Sequence, residues 1–131
     1  MGAGQLKTVM VLLDSTVLID YSRDRKAAVS WLERSVDHFA ISVVTLAEYR
    51  QGIRNAQEMV LLEHWTRMFD VLAVTQDVAL LAGQWGQQFR KTHRLEMADL
   101  LIAATAQLHG MQLATHNLKH YPMFEDLKPP Y

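Results

Sequence analysis

Four oxygen-bearing side chains, Asp14, Glu48, Asp99 and Asn117, stand where a metal-dependent hydrolase would need them. Asp14 ends the apolar run of "VMVLLDSTVLID", residues 9–20, and is followed by two hydroxyl residues and a second apolar run. Glu48 lies five residues past another apolar run, in the first turn of a helix that Thr45 would open. Asp99 sits in the first turn of the apolar stretch 97–109, and Asn117 comes two residues after "MQLAT". Each residue also has a local structural reading. Asp14 could cap a helix. Thr45 and Glu48 form a capping box, Asp99 complements a helix dipole, and Asn117 is an ordinary turn residue. As a set they are harder to explain that way. Asp14 and Asp99 are flanked by apolar residues, where an unpaired charge costs several kcal/mol. Converging carboxylates repel and raise one another's pKa, and no lysine or arginine adjoins either aspartate.

A divalent cation would remove that repulsion. Carboxylate and amide oxygens without cysteine favour Mg²⁺, or alternatively Mn²⁺. Zinc is disfavoured, because the six histidines show no HExxH spacing; His116 and His120, four apart, are the one pair that could share a helical face. Mg²⁺ held by a few carboxylates takes the rest of its shell from water and phosphate oxygens. The chemistry that follows is hydrolysis of a phosphodiester.

The elements that must position these residues alternate. Strands are expected over 8–13, 38–44, 70–74 and 111–115 from short apolar runs with β-branched residues. Between the first two lie one short helical turn, a polar break at "SRDR" and a helix carrying Val29, Leu32 and Val36 on one face. A helix over 45–56 continues, after a break, into 57–69, where Leu61, Leu62, Trp65, Met68 and Phe69 share a face. Residues 75–93 read as a longer helix with Val78, Leu81, Ala82, Trp85 and Phe89 at helical spacing. Residues 97–110 read as a central buried helix ended by Gly110. The tail, 116–131, reads as loop with room for a last edge strand. Strands separated by helices, with continuous apolar runs, indicate an α/β fold with a parallel sheet covered on both faces. Ligands in such sheets bind beyond the carboxyl ends of the strands. Strands one, two and four would deliver Asp14, Glu48 and Asn117 to that edge. On this first-principles reading Asp99 is the exception: a simple crossover is expected to start its helix at the opposite edge, unless that start reaches across the site.

Length and composition set bounds. The chain has 131 residues, fitting one domain over 1–131, with 1–8 as a possible N-terminal extension because Met10 would be a natural start. Half is hydrophobic, enough for a core, and the absence of cysteine excludes a thiol nucleophile and a disulfide framework. The 13 basic and 14 acidic residues leave a charge of −1, against a strongly cationic nucleic-acid binder but not against an enzyme with local basic patches. Arg23, Arg25 and Lys26, and Arg90, Lys91 and Arg94, are two such clusters, read first as solvated surface. No apolar run approaches the ~18 residues of a membrane span, and no signal peptide stands out, so a cytoplasmic protein is expected. Nucleotide-binding and serine-hydrolase motifs are absent. Gly83 and Gly86 are expected to permit close helix packing.

"VLLDSTVLID", "ISVVTLAEYRQG" and "MADLLIAATAQLHGMQLATHNLKHY", in that order, resemble the PIN-domain ribonucleases, specifically the toxins of bacterial VapBC toxin–antitoxin systems. The resemblance runs over nearly the whole chain from Val9. It implies a three-layer α/β/α sandwich and an acidic quartet gathered in one cleft around Mg²⁺ or Mn²⁺, which would bring Asp99 to the others. Asp14 matches the first family aspartate, Glu48 the central glutamate and Asp99 the third acid. Asn117 matches the fourth position, often aspartate, so a second metal should be weakened more than the first. Thr115 is expected to help hold the cleft by a hydroxyl bond, and Asp126 has no catalytic role. The resemblance further implies an RNA substrate, a homodimer, and a cognate antitoxin that lays a peptide over apolar grooves and brings a basic side chain to the cleft. Met59, Trp65, Met68 and Phe69 are candidates for such a groove, with the core as the other reading of each. Two rivals remain: a receiver-like signalling domain with an acidic Mg²⁺ pocket, poorly matched by Asp77 and Lys119, and a degenerate relative that binds RNA without cutting it.

Overall fold

The computed structural model describes residues 9–35 and 37–131; the proposed extension and Val36 lie outside them. Four short strands form one parallel sheet in the order β3-β2-β1-β4: β1 (Met10–Leu13), β2 (His38–Ser42), β3 (Asp70–Leu72) and β4 (Gln112–Ala114). Six helices connect them: α1 (Ser15–Ser22), α2 (Lys26–Arg34), α3 (Val43–Gln51), α4 (Ala56–Met68), α5 (Gln76–Phe89) and α6 (Met97–Leu108). A 3₁₀ turn spans Leu118–His120.

Side-chain alternation along β1 divides the core in two. Val11 and Leu13 face one way, with Ile41 of β2, and pack on Val17 and Leu18 of α1, Tyr49 of α3, and Leu62 and Trp65 of α4. Leu12 faces the other way with Ala40 and meets Ile102, Ala103 and Ala106 of α6. Both faces of β1 are therefore buried, which is why its sequence is a continuous apolar run. The result is the α/β/α sandwich.

Several local expectations are corrected. Val43 and Val44 belong to α3, not to strand two, and the cap is Ser42, whose Oγ accepts the Val44 amide at 3.0 Å. Valine favours strands, but here the cap decides where the helix begins. Thr45 thus lies inside the helix, fully buried, and the Thr45–Glu48 capping box does not form. The first helix is a full eight residues rather than one turn, ended where Asp24 takes φ 55°. Met68 is 59 % exposed and leaves the face it was grouped with, whereas Trp65 and Phe69 are core. Gly86 does permit close packing: a Cβ there would meet Leu100 Cδ1 at 3.3 Å, but Gly83 faces nothing within 4 Å. Among the described residues the tail adds no strand, and β4 is the sheet edge.

Candidate active site

Asp14 follows β1 without a spacer, and its amide donates to the Ala114 carbonyl at 3.0 Å, continuing the β1–β4 pairing by one residue. Its carboxylate is 2 % exposed and takes four hydrogen bonds. Oδ2 accepts from the Thr115 hydroxyl at 2.6 Å and the Tyr121 hydroxyl at 3.0 Å; Oδ1 accepts from the Ser15 hydroxyl at 3.1 Å and the Thr16 amide at 3.4 Å. The last is the helix-cap bond, and it is the longest. Capping is real but does not account for the buried half of the carboxylate. Thr115 takes the holding role that the resemblance implied.

Asp99 is brought to the same place. The Tyr121 hydroxyl lies 3.3 Å from its Oδ1, and His120 Nδ1 lies 3.0 Å from its Oδ2. The expectation that α6 would start at the far edge was a geometric error. A helix that leads by a short turn into a parallel strand runs antiparallel to that strand, so it ends at the amino edge and begins at the carboxyl edge. α6 passes through Gly110, at φ 64°, directly into β4, and its first turn therefore stands beside the end of β1.

Glu48 lies in the second turn of α3, half-buried. Burial, then the charges of Asp14 and Asp99, push its carboxyl above the usual range. Its Oε1 is buried with no hydrogen-bond partner. Asp99 is likewise raised, by burial first and by the Asp14 charge, against the opposing pull of His120 and the Tyr121 hydroxyl. Tyr121 is 1 % exposed, and burial with the Asp14 and Asp99 charges drives its ionisation far above the ordinary value, so it stays a donor. Asn117 stands apart. Its amide donates to Thr115 Oγ1 at 3.0 Å; its side chain is exposed and makes no hydrogen bond to a carboxylate among the described residues.

These residues fit a divalent cation on two grounds: the donors are carboxylate oxygens, and Glu48 Oε1 has no hydrogen-bond partner among the described residues. As the side chains stand, no three His, Asp or Glu groups among the described residues grip a single point. His116 and His120 do not pair as a zinc site: His116 packs against the Tyr131 ring at 4.2 Å, while His120 faces Asp99.

Tyr121 and the Asp99 contact of His120 were missed from sequence. The only signal for the tyrosine is an aromatic residue four positions past Asn117, in a segment read as loop.

The raised carboxyls carry a stability consequence. Between the ordinary carboxylate pKa and the raised folded values the native state holds more protons than the unfolded chain, so metal-free stability falls as pH rises through that window. Glu58, lowered by its Arg54 hydrogen bonds, acts in the opposite sense but below the ordinary range. In chelator, the melting temperature of the wild type relative to Asp99→Asn should drop from acidic toward neutral pH. A flat difference would contradict the shift.

A family model described as "PIN domain" matches residues 11–122. Ribonuclease VapC10 of Mycobacterium tuberculosis is 43 % identical over 127 residues, covering 93 % of this chain and 93 % of the relative. Ribonuclease VapC19 of the same organism is 35 % identical over 126 residues, covering 93 % and 100 %. A toxin–antitoxin complex from Klebsiella pneumoniae contains a chain of the same fold, with TM-score 0.72, 31 % identity, and coverage of 92 % of this chain and 98 % of that one.

Proposed function

The chain belongs to the PIN-domain family, among the VapC ribonucleases, and from that premise we propose that it is a Mg²⁺-dependent endoribonuclease, the toxin of a toxin–antitoxin pair. The observation that carries the reading is the meeting of Asp14 and Asp99 on one tyrosine hydroxyl, beside a Glu48 oxygen that no described residue hydrogen-bonds.

The bound cation would lower the pKa of a coordinated water and neutralise charge growing on phosphorus. Asp14 and Asp99 would hold it, with Glu48 alongside. The protein's own groups divide the remaining work. Asp14 is held in place, because Thr115, Ser15 and the Thr16 amide bond its two oxygens and the Tyr121 hydroxyl, shared with Asp99, adds to them. Glu48, with a buried oxygen that no described residue bonds, is placed to take up the proton that an attacking water would release. Asn117 is neutral and turned to solvent, which favours a single strongly held ion over two. Without a cation the same carboxylates would repel an RNA phosphate. The deciding experiment is cleavage of RNA by the purified, antitoxin-free protein with Mg²⁺ and with chelator. Binding without cutting would favour the degenerate alternative.

The antitoxin is the second part of the proposal, supported by the complex to which this fold is similar. Two adjoining hollows between α2 and α4 share an apolar strip of Leu32, Phe39, Met68 and Phe69, bordered on one side by Ser35, Asp37, His38 and Asp70. Met68 is its exposed member and suits an apolar peptide side chain. Met68→Asp should weaken antitoxin binding by about tenfold or more and leave RNA cleavage unchanged, as titration of antitoxin against cleavage would show. Homodimerisation is also proposed. Leu80 and Met97, on the packed helices α5 and α6, are 64 % and 54 % exposed and offer apolar surface for a second copy.

A further inference from the structure

We propose that Tyr121 is a positioning residue whose hydroxyl sets the spacing of the Asp14 and Asp99 carboxylates and so pre-forms the cation site; the inference rests on the metal reading above. Asp14 and Asp99 come from elements 85 positions apart in sequence, one at the end of β1 and one in the first turn of α6. Asp14 would stay in place without the tyrosine, because Thr115, Ser15 and the Thr16 amide still hold it. Asp99 has no such set. Its other hydrogen-bonding partner among the described residues is His120, whose side chain is about half exposed. The Tyr121 hydroxyl is thus the one group among the described residues bonded to both carboxylates, at 3.0 and 3.3 Å.

The tyrosine is itself rigidly held. Its ring packs with Leu12, Ala40, Ile102 and Leu113, under both the sheet and α6. Its amide closes a turn on the Leu118 carbonyl at 3.1 Å, and its carbonyl accepts the Phe124 amide at 3.1 Å. A hydroxyl fixed from below gives the two like-charged groups a common reference point, where repulsion alone would part them. A phenol has one proton to give. It therefore bonds fully to one carboxylate at a time and leaves the facing oxygen of the other available to a cation. Mg²⁺ requires oxygens at ~2.0–2.1 Å in near-ideal octahedral geometry, so a site whose carboxylates must first be gathered binds it less well.

Tyr121→Phe removes the oxygen and keeps the ring. Mn²⁺ binding is measured by calorimetry without RNA, on wild type and Tyr121→Phe, at one pH. A second measurement on each protein is the Mn²⁺-induced rise in melting temperature, which is referred to that protein's own metal-free value and so survives a loss of basal stability. The expected result is a Mn²⁺ affinity lower by about tenfold or more, in keeping with loss of an outer-shell partner, and a correspondingly smaller melting shift. Equal or tighter binding by Tyr121→Phe overturns the tyrosine's role and leaves the metal reading standing. A purely structural role would lower the metal-free melting temperature and leave the Mn²⁺ response intact, and that outcome also overturns it. Absence of Mn²⁺ binding by the wild type itself overturns both.

Discussion

Asp14→Asn, and separately Asp99→Asn, should abolish RNA cleavage and cell toxicity while leaving the protein folded. The amide is nearly isosteric with the carboxylate. At position 14 its oxygen can still accept from Thr115 and Tyr121, and its NH₂ can donate to the Ser15 oxygen; only the Thr16 amide, already at 3.4 Å, faces a donor. What disappears is one negative charge. Loss of an outer-shell partner at a metal site typically costs ~10–100-fold in affinity or activity, and loss of a direct carboxylate ligand should exceed that. Stability should move the other way. Each substitution removes a charge that raises the Glu48 carboxyl, so the metal-free variants should melt no lower than the wild type at neutral pH. Cleavage rates on purified, antitoxin-free protein, with melting curves beside them, test both halves. Full activity in either variant would remove the carboxylates from the mechanism. Low activity together with a collapsed melting temperature would mean that the residue served the fold instead.

Much of this site was legible because the relevant signals are local and repeated. Apolar runs broken by a polar residue marked β1 and β4, and they put Asp14 and the Thr115–Asn117 segment at strand ends before any contact was known. The spacing of "MADLLIAATAQLHG" gave α6, buried at Leu100 and through Ile102–Ala106. Helix starts were less legible. Ser42 and Thr45 are both good caps, and the two valines between them favour a strand, so the boundary was placed three residues late. The direction of α6 is contained in the sequence order, since a helix feeding a parallel strand by a short turn begins at the carboxyl edge. Tyr121 was not legible at all. It reaches Asp14 across 107 positions from a segment with no regular pattern, and its importance lies in one oxygen that composition and periodicity do not distinguish from a Phe ring's edge. The place of Asn117 after β4 suggested membership of the cluster; in the structure it is exposed there, and its backbone amide supports Thr115.

Trp65→Ala should be the most destabilising single substitution considered, and it should lose activity for the opposite reason. Trp65 is 2 % exposed on α4 and packs edge-on against Tyr49 at 5.0 Å and Tyr21 at 5.9 Å. Truncating a buried tryptophan costs ~3–5 kcal/mol from lost transfer energy and the cavity left behind. Whole domains are stable by only ~5–15 kcal/mol, so the variant would keep a thin margin. The cavity cannot close easily. Tyr21 is tied to Glu33 by its hydroxyl at 3.0 Å and Tyr49 to the Glu58 carbonyl at 3.3 Å, and moving either ring inward breaks one of these bonds. Denaturant titration should show a lower midpoint with little change in slope. The lost cleavage should track the unfolded fraction and return on cooling, because Trp65 belongs to the core cluster on the sheet face opposite α6. Asp14→Asn should show no such recovery. A Trp65→Ala protein as stable as the wild type would show that α4 settles onto the sheet without its anchor. A stable one that remained inactive on cooling would mean that this face of the sandwich holds α1 and α3, and with them Asp14 and Glu48, in register.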